Sequence, residues 1–216
     1  NYEQFYSLYR SVELQWSSTE ALRLVVWLVN QAVPGFYRED AALEMAPKEV
    51  IERTLHKLWG IKLGKPTSNE AKSSRWILAA LSDFNGQLQA RDIIRFLEKA
   101  TVNEGKPVYS DRYLMPVEIK KAVSDCSSDK ISEIRDEIKA LGPILDKLEN
   151  APIEYKVLPF SGERFGFTQG EEKIMKQEGY LRIENDKYYL PEIIRHALKF
   201  RYERGARPKV LSLLLK

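Results

Sequence analysis

The chain has 216 residues, 44% hydrophobic and 30% charged, enough apolar material for one large domain or two small ones. Aromatic content of 11% argues against wholesale disorder. A single cysteine, Cys126, excludes an internal disulfide framework and cysteine-clustered zinc sites, and fits a reduced cytoplasmic setting. Two histidines, His56 and His196, leave little material for a histidine-built metal centre or triad. The longest apolar run, residues 24–29, falls far short of the roughly 18 residues a membrane helix needs, and nothing reads as a signal peptide. A start at Asn1 rather than Met reads as a processed chain or as a piece of a longer one.

The net charge of +3 is unevenly spread. Residues 191–216 hold seven basic and two acidic side chains, so the first 190 residues carry 27 and 29. The basic excess belongs to the C-terminal segment, where it could meet an acidic partner.

In chain order the elements are mostly helical. Ser17 and Glu20 form a capping-box pattern that opens a helix to about Ala32, apolar nearly all round over 24–29 and so expected inside a helical domain. Pro34-Gly35 stops it. Pro47 starts a second helix that ends at Trp59-Gly60. Thr67 and Glu70 offer a further capping box, with a helix to Asp83 carrying Trp76, Ile77, Leu78 and Leu81 inward. Asn85-Gly86 breaks it, and a helix over 90–101 places Ile93, Ile94, Leu97 and Ala100 at helical spacing.

Residues 103–115 read as a polar linker containing Gly105 and Pro107. Pro116 restarts a helix to about Asp125, residues 127–141 make another, and Pro143 opens a short one to Glu149. Alternation over 153–157 predicts a strand. Thr168, with Glu171, caps a helix through Gln177 that Gly179 ends. Residues 180–183 and 188–190 flank Asn185-Asp186-Lys187 as a hairpin, and Pro191 opens a final helix to about Arg204. The fold class expected is therefore mainly α: an N-terminal helical bundle (1–102), the linker (103–115), a winged-helix-like domain with a small β-hairpin (116–205) and a basic tail (206–216). The stretch 157–168 offers no clear second helix for a helix-turn-helix.

Catalytic motifs are few. The sequence contains no phosphate-cradling Gly-x-x-x-x-Gly-Lys-Ser/Thr loop, no Gly-x-Ser-x-Gly nucleophile elbow and no His-Glu-x-x-His zinc pair. His56 reads as a surface or boundary histidine, Cys126 as a structural thiol at a helix end, and Asp83, Asp92, Asp125 and Asp129 as residues near helix ends. Two features remain. Arg91 stands in the first turn of its helix, where its planar fork could reach a phosphate or pair with Asp83 or Asp92. Arg195, Lys199, Arg201, Arg204, Arg207 and Lys209 interleave with Phe200 and Tyr202, a candidate nucleic-acid surface or the solvated face of an amphipathic helix. The helix over 168–177 is not net basic, which argues against tight duplex binding through it.

The succession Leu14-Gln15-Trp16, Glu20-Ala21-Leu22-Arg23, Leu58-Trp59-Gly60, Arg75-Trp76-Ile77, Leu81-Ser82-Asp83 and Asn85-Gly86, then Ala90-Arg91-Asp92-Ile93-Ile94-Arg95-Phe96-Leu97, resembles bacterial P-loop ATPases of the AAA+/STAND type. The matching part is the region that follows their nucleotide-binding core. The resemblance covers residues 14–100 directly and the rest in architecture only. It implies a helical lid followed by a winged helix, with Arg91 at the sensor-2 position that touches the terminal phosphate. Ala90 departs from the proline, serine or aspartate expected before that arginine. The Walker elements are absent, so the chain would be the non-catalytic C-terminal portion of such an ATPase. ATP would then be the cofactor of the full-length protein and not of this part. The partners implied are the ATPase core of its own chain, a second copy and DNA. The alternative is a stand-alone winged-helix DNA-binding protein with a helical dimerisation domain.

Overall fold

In the computed structural model, which describes residues 16–101 and 111–204, Ser17 opens the first helix, α1 (Ser18–Ala32). The Ser17 hydroxyl accepts the Glu20 N–H at 3.2 Å, and the Glu20 carboxylate accepts the Ser17 N–H at 2.8 Å. Ala21, Leu22, Val25 and Val26 form the buried stripe. Trp27 is 50% exposed, so α1 lies at the side of the core and is not surrounded as its apolar run predicts.

Helix α2 (Lys48–Trp59) follows Pro47 and ends on Gly60, whose φ of +75° is left-handed. Helix α3 (Ser73–Leu81) starts later than the Thr67/Glu70 pattern predicts, because Glu70 instead accepts the Gly64 N–H at 3.0 Å within the loop. The α2–α3 join is polar and buried: Trp59 Nε1 donates to Ser74 Oγ at 3.2 Å and Ser73 Oγ donates to the Trp59 carbonyl at 3.3 Å. Helix α4 (Ala90–Thr101) buries Ile93, Phe96 and Ala100; Ile94, expected inward, is 48% exposed, and Phe96 fills the core position.

Of the expected linker, residues 103–110 lie outside the described ones. Residues 111–114 are tied down: Tyr113 and Leu114 N–H donate to the Lys57 and Leu58 carbonyls, and buried Arg112 donates to the Lys62 carbonyl at 2.8 Å. The two helices expected over 116–141 are one, α5 (Pro116–Glu137), followed by a 3-10 turn (Lys139–Leu141) and α6 (Gly142–Glu149). The run Cys126-Ser127-Ser128 looks like a break but is satisfied in place. Ser128 Oγ donates back to the Ser124 carbonyl at 3.5 Å, and buried Ser127 Oγ accepts the Ala197 N–H at 2.9 Å. Cys126 therefore sits in mid-helix and is buried, not at a helix end.

The expected strand over 153–157 is mostly a 3-10 turn (Ile153–Tyr155), with β1 reduced to Val157–Leu158. There follow β2 (Phe160–Ser161), a 3-10 turn (Gly162–Phe165), α7 (Gln169–Gln177), β3 (Arg182–Glu184), β4 (Lys187–Tyr189), α8 (Glu192–Arg195) and β5 (Arg201–Tyr202). Strands β2, β4 and β3 make an antiparallel sheet in the order β2-β4-β3, and β5 pairs in parallel with β1. The hairpin turn is the two residues Asn185 and Asp186, both left-handed (φ 51° and 57°), as a tight twisted hairpin requires.

The final helix is much shorter than expected. After α8 the chain reverses at Lys199, with φ +60°, because two non-local gains compete with helix continuation. Phe200 is buried 6.0 Å from the Phe160 ring and 5.8 Å from Phe165, and the Arg201 N–H donates to the Lys156 carbonyl at 3.0 Å. Phe160 is the hub of this aromatic group, which joins the same continuous core that holds the buried faces of α1 to α5. The architecture is mainly helical with a small sheet.

Candidate functional site

Arg91 belongs to a charge ladder. Arg91, Arg95 and Lys99 recur every four residues along α4 and so share one face. Glu137, Glu133 and Asp129 recur every four along α5, which runs the other way beside it. The rungs are Arg91–Glu137 at 2.9 Å, Arg95–Glu133, and Lys99–Asp129 at 3.0 Å. Arg91 also lies 3.2 Å from Glu133, and its Nε donates to Gln89 Oε1 at 2.8 Å. The hydrogen bond to Glu137 raises the Arg91 pKa. Its sequence-level partners, Asp83 and Asp92, are not the ones used. Asp83 instead accepts the Asn85 and Gln87 N–H groups and holds the turn before α4.

Behind the ladder lies a pair of opposite sense. Lys130 on α5 donates to Asp92 at 2.9 Å and to Gln89 Oε1 at 2.9 Å, with both charged side chains nearly fully buried. Burial raises the Asp92 pKa, against the pull of Lys130. The matching four-residue spacings of the cations and the acids were available in the sequence as a signal for the ladder; the Asp92–Lys130 pair had none.

Of the C-terminal basic residues, Arg195 is engaged by its own neighbours. Arg195 forks onto Glu192 at 2.9 and 2.7 Å, donates to the Phe200 carbonyl at 2.6 Å and stacks 4.7 Å over the Tyr202 ring. His196 Nε2 lies 3.1 Å from the same carboxylate, and the Tyr202 hydroxyl donates to it. Burial would raise the Glu192 pKa, but hydrogen bonds from His196 and Arg195 prevail and hold it at about 2. Lys199, Arg201 and Arg204 are exposed, while Arg207 and Lys209 lie outside the described residues.

Helix α7 spends its acids internally. Glu171 accepts the Thr168 N–H at 2.7 Å and pairs with Lys147 at 2.8 Å; Glu172 accepts the Tyr188 hydroxyl. Gln169, Lys173, Lys176 and Gln177 are exposed. In the adjoining hairpin Arg182 lies 3.3 Å from Glu184, and Asn185, Asp186 and Lys187 form the exposed tip.

Among the described residues no group of three or more His, Cys, Asp or Glu is placed to hold a metal, and no helix is long and apolar enough to cross a membrane. No model of a known protein family, no curated protein and no solved structure matches this chain.

Proposed function

We propose that the chain is the non-catalytic, regulatory C-terminal portion of a larger cytoplasmic P-loop ATPase, a helical lid followed by a winged-helix module. The observation that carries this reading is the position of Arg91. It stands in the first turn of α4 with its side chain 41% exposed, and its partners Glu133 and Glu137 belong to α5. A terminal phosphate reached by Arg91 would compete with those two carboxylates and loosen α4 from α5. Nucleotide state would thereby reach the module that α5 supports. The sheet order β2-β4-β3, with α7 directly before the hairpin, supports the winged-helix reading; a 3-10 turn (Gly162–Phe165) stands where that motif has its second helix. The chemistry would belong to the ATPase core, and ATP would be bound there.

The test is ATP-analogue binding by the full-length protein. Arg91→Ala is expected to weaken it about tenfold or more, the loss of one charge-assisted contact or two. Unchanged binding, or a source gene with no P-loop ahead of Asn1, overturns the reading.

A second reading, duplex DNA binding, is favoured by α7. Glu171 pairs with Lys147, and Glu172 accepts the Tyr188 hydroxyl and lies 3.8 Å from Lys176, so the exposed side chains of the helix are Gln169, Lys173, Lys176 and Gln177. Lys173→Ala/Lys176→Ala is expected to weaken duplex binding and reduce its log–log salt slope by about 2. No binding at low salt sinks this reading.

A further inference from the structure

A groove of about 520 Å³ opens between α1, α2 and α3. Lys48, Lys72 and Arg75 line it, with Glu52 as the acid among its lining residues. Glu52 lies 3.2 Å from Lys72, while Lys48 and Arg75 have neither ion pair nor hydrogen bond among the described residues. All three cations are exposed, and the floor is apolar, with Leu22 and Leu78.

Two further observations point to an anion. Ser74 also lines the groove and is only 4% exposed. Its oxygen accepts from Trp59 Nε1, yet its own O–H has no acceptor among the described residues. A hydroxyl that accepts one bond can still donate, so its O–H is free to turn to a ligand oxygen in the groove. The three cations also stand at the starts of α2 and α3, where the helix dipole disfavours positive charge, and no side chain caps either helix. Bound anionic oxygens would offset the unfavourable placement of those cations and could accept from Ser74.

We propose that this groove binds a small phosphorylated molecule the size of a mononucleotide, its phosphate against Lys48, Arg75 and Ser74 and its organic body against Leu22 and Leu78. The volume lies within the range of small-molecule sites. Neither Arg91 nor α7 lines the groove, so the ATPase and DNA readings stand or fall separately.

Isothermal titration calorimetry of the 216-residue chain with the four ribonucleoside monophosphates, inorganic phosphate and sulfate tests it. At least one nucleotide is expected to bind more tightly than either inorganic anion. Lys48→Ala/Arg75→Ala should weaken that binding about tenfold or more, as loss of charge-assisted contacts does. The same circular-dichroism melt as wild type would show the fold intact, and Lys120→Ala/Lys121→Ala, an equal loss of exposed charge away from the groove, should leave binding unchanged. Nucleotides binding no better than sulfate, equal binding by the Lys48/Arg75 double variant, or no binding at low salt overturns the proposal.

Discussion

Asn85 and Gln177, 92 positions apart, meet where the turn before α4 touches the end of α7: the Asn85 Nδ2 donates to the Gln177 carbonyl at 2.8 Å. The Phe84 N–H donates to the Gly179 carbonyl alongside, also at 2.8 Å. The turn that orients Arg91 and the helix that precedes the hairpin are therefore fastened together by backbone and side chain.

Gly179 makes that approach possible. Its φ is +73°, and a Cβ there would stand 2.8 Å from Asp83 Cγ and 3.1 Å from the Asn85 nitrogen. Gly179→Ala is expected to destabilise the protein by ~2 kcal/mol or more, the sum of left-handed strain and a displaced turn. Gly170, inside α7, is the contrast, since a Cβ there would meet only Thr168 Oγ at 3.9 Å. Gly170→Ala should stabilise by about 0.5–1 kcal/mol. Urea denaturation of both variants measures the difference.

The buried Asp92–Lys130 pair predicts a non-additive series. Lys130→Met leaves the buried Asp92 carboxylate with Arg95, 4.0 Å away, as its remaining ion-pair partner. It should cost about 3 kcal/mol, the low end for a broken buried pair, whereas Asp92→Leu/Lys130→Met should recover most of it. The exposed rung behaves differently: Arg91→Ala should change stability by less than about 1 kcal/mol. A double variant as unstable as Lys130→Met alone would show that the pair acts through packing and not charge.

Glu192 predicts the acid limb of stability. Its folded pKa, about 2, lies below the ordinary value of 4.5, so its contribution is complete above the unfolded value. That contribution is lost as pH falls from about 4.5 through about 2, and amounts to roughly 3 kcal/mol. Asp83 and Asp92, raised by burial, act in the opposite sense, so the comparison is with Glu192→Gln. Urea midpoints between pH 5 and pH 3 should fall more steeply for the wild type than for this variant.

Cys126 should be inert. Burial pushes its thiol pKa up to about 12, so almost no thiolate exists near neutral pH. Ellman's reagent is expected to label it only at the rate of unfolding, and rapid labelling of the folded chain would contradict its mid-helix burial.

Much of the local structure was legible because its signals are local. The Ser17/Glu20 and Thr168/Glu171 boxes and the Gly60 and Gly179 stops each act within a few residues and appear where the sequence places them, and the hairpin expected around Asn185-Asp186-Lys187 forms with Lys187 already in β4. The misplaced boundaries had distant causes. A serine pattern that reads as a break in α5 is satisfied partly by the Ala197 N–H, and a helix expected to reach Arg204 is cut short by Phe200 and by pairing with Lys156. The site followed the same division. That Arg91 begins a helix was readable from the chain; that Glu133 and Glu137 hold it depended on how α5 packs.

By itself, then, the sequence determined a mainly helical chain, the caps and turns of its elements and the concentration of basic residues near its C-terminus, since capping, period and charge are written along the backbone. Only the tertiary structure decided which of those charges are occupied. Arg195 is consumed by Glu192, the glutamates of α7 pair with Lys147 and with Tyr188 and Lys176, and Lys48 and Arg75 share a groove without a partner among the described residues. An ion pair depends on distance in space, and residues 46 positions apart, as Arg91 and Glu137 are, come within 3 Å only when two helices pack.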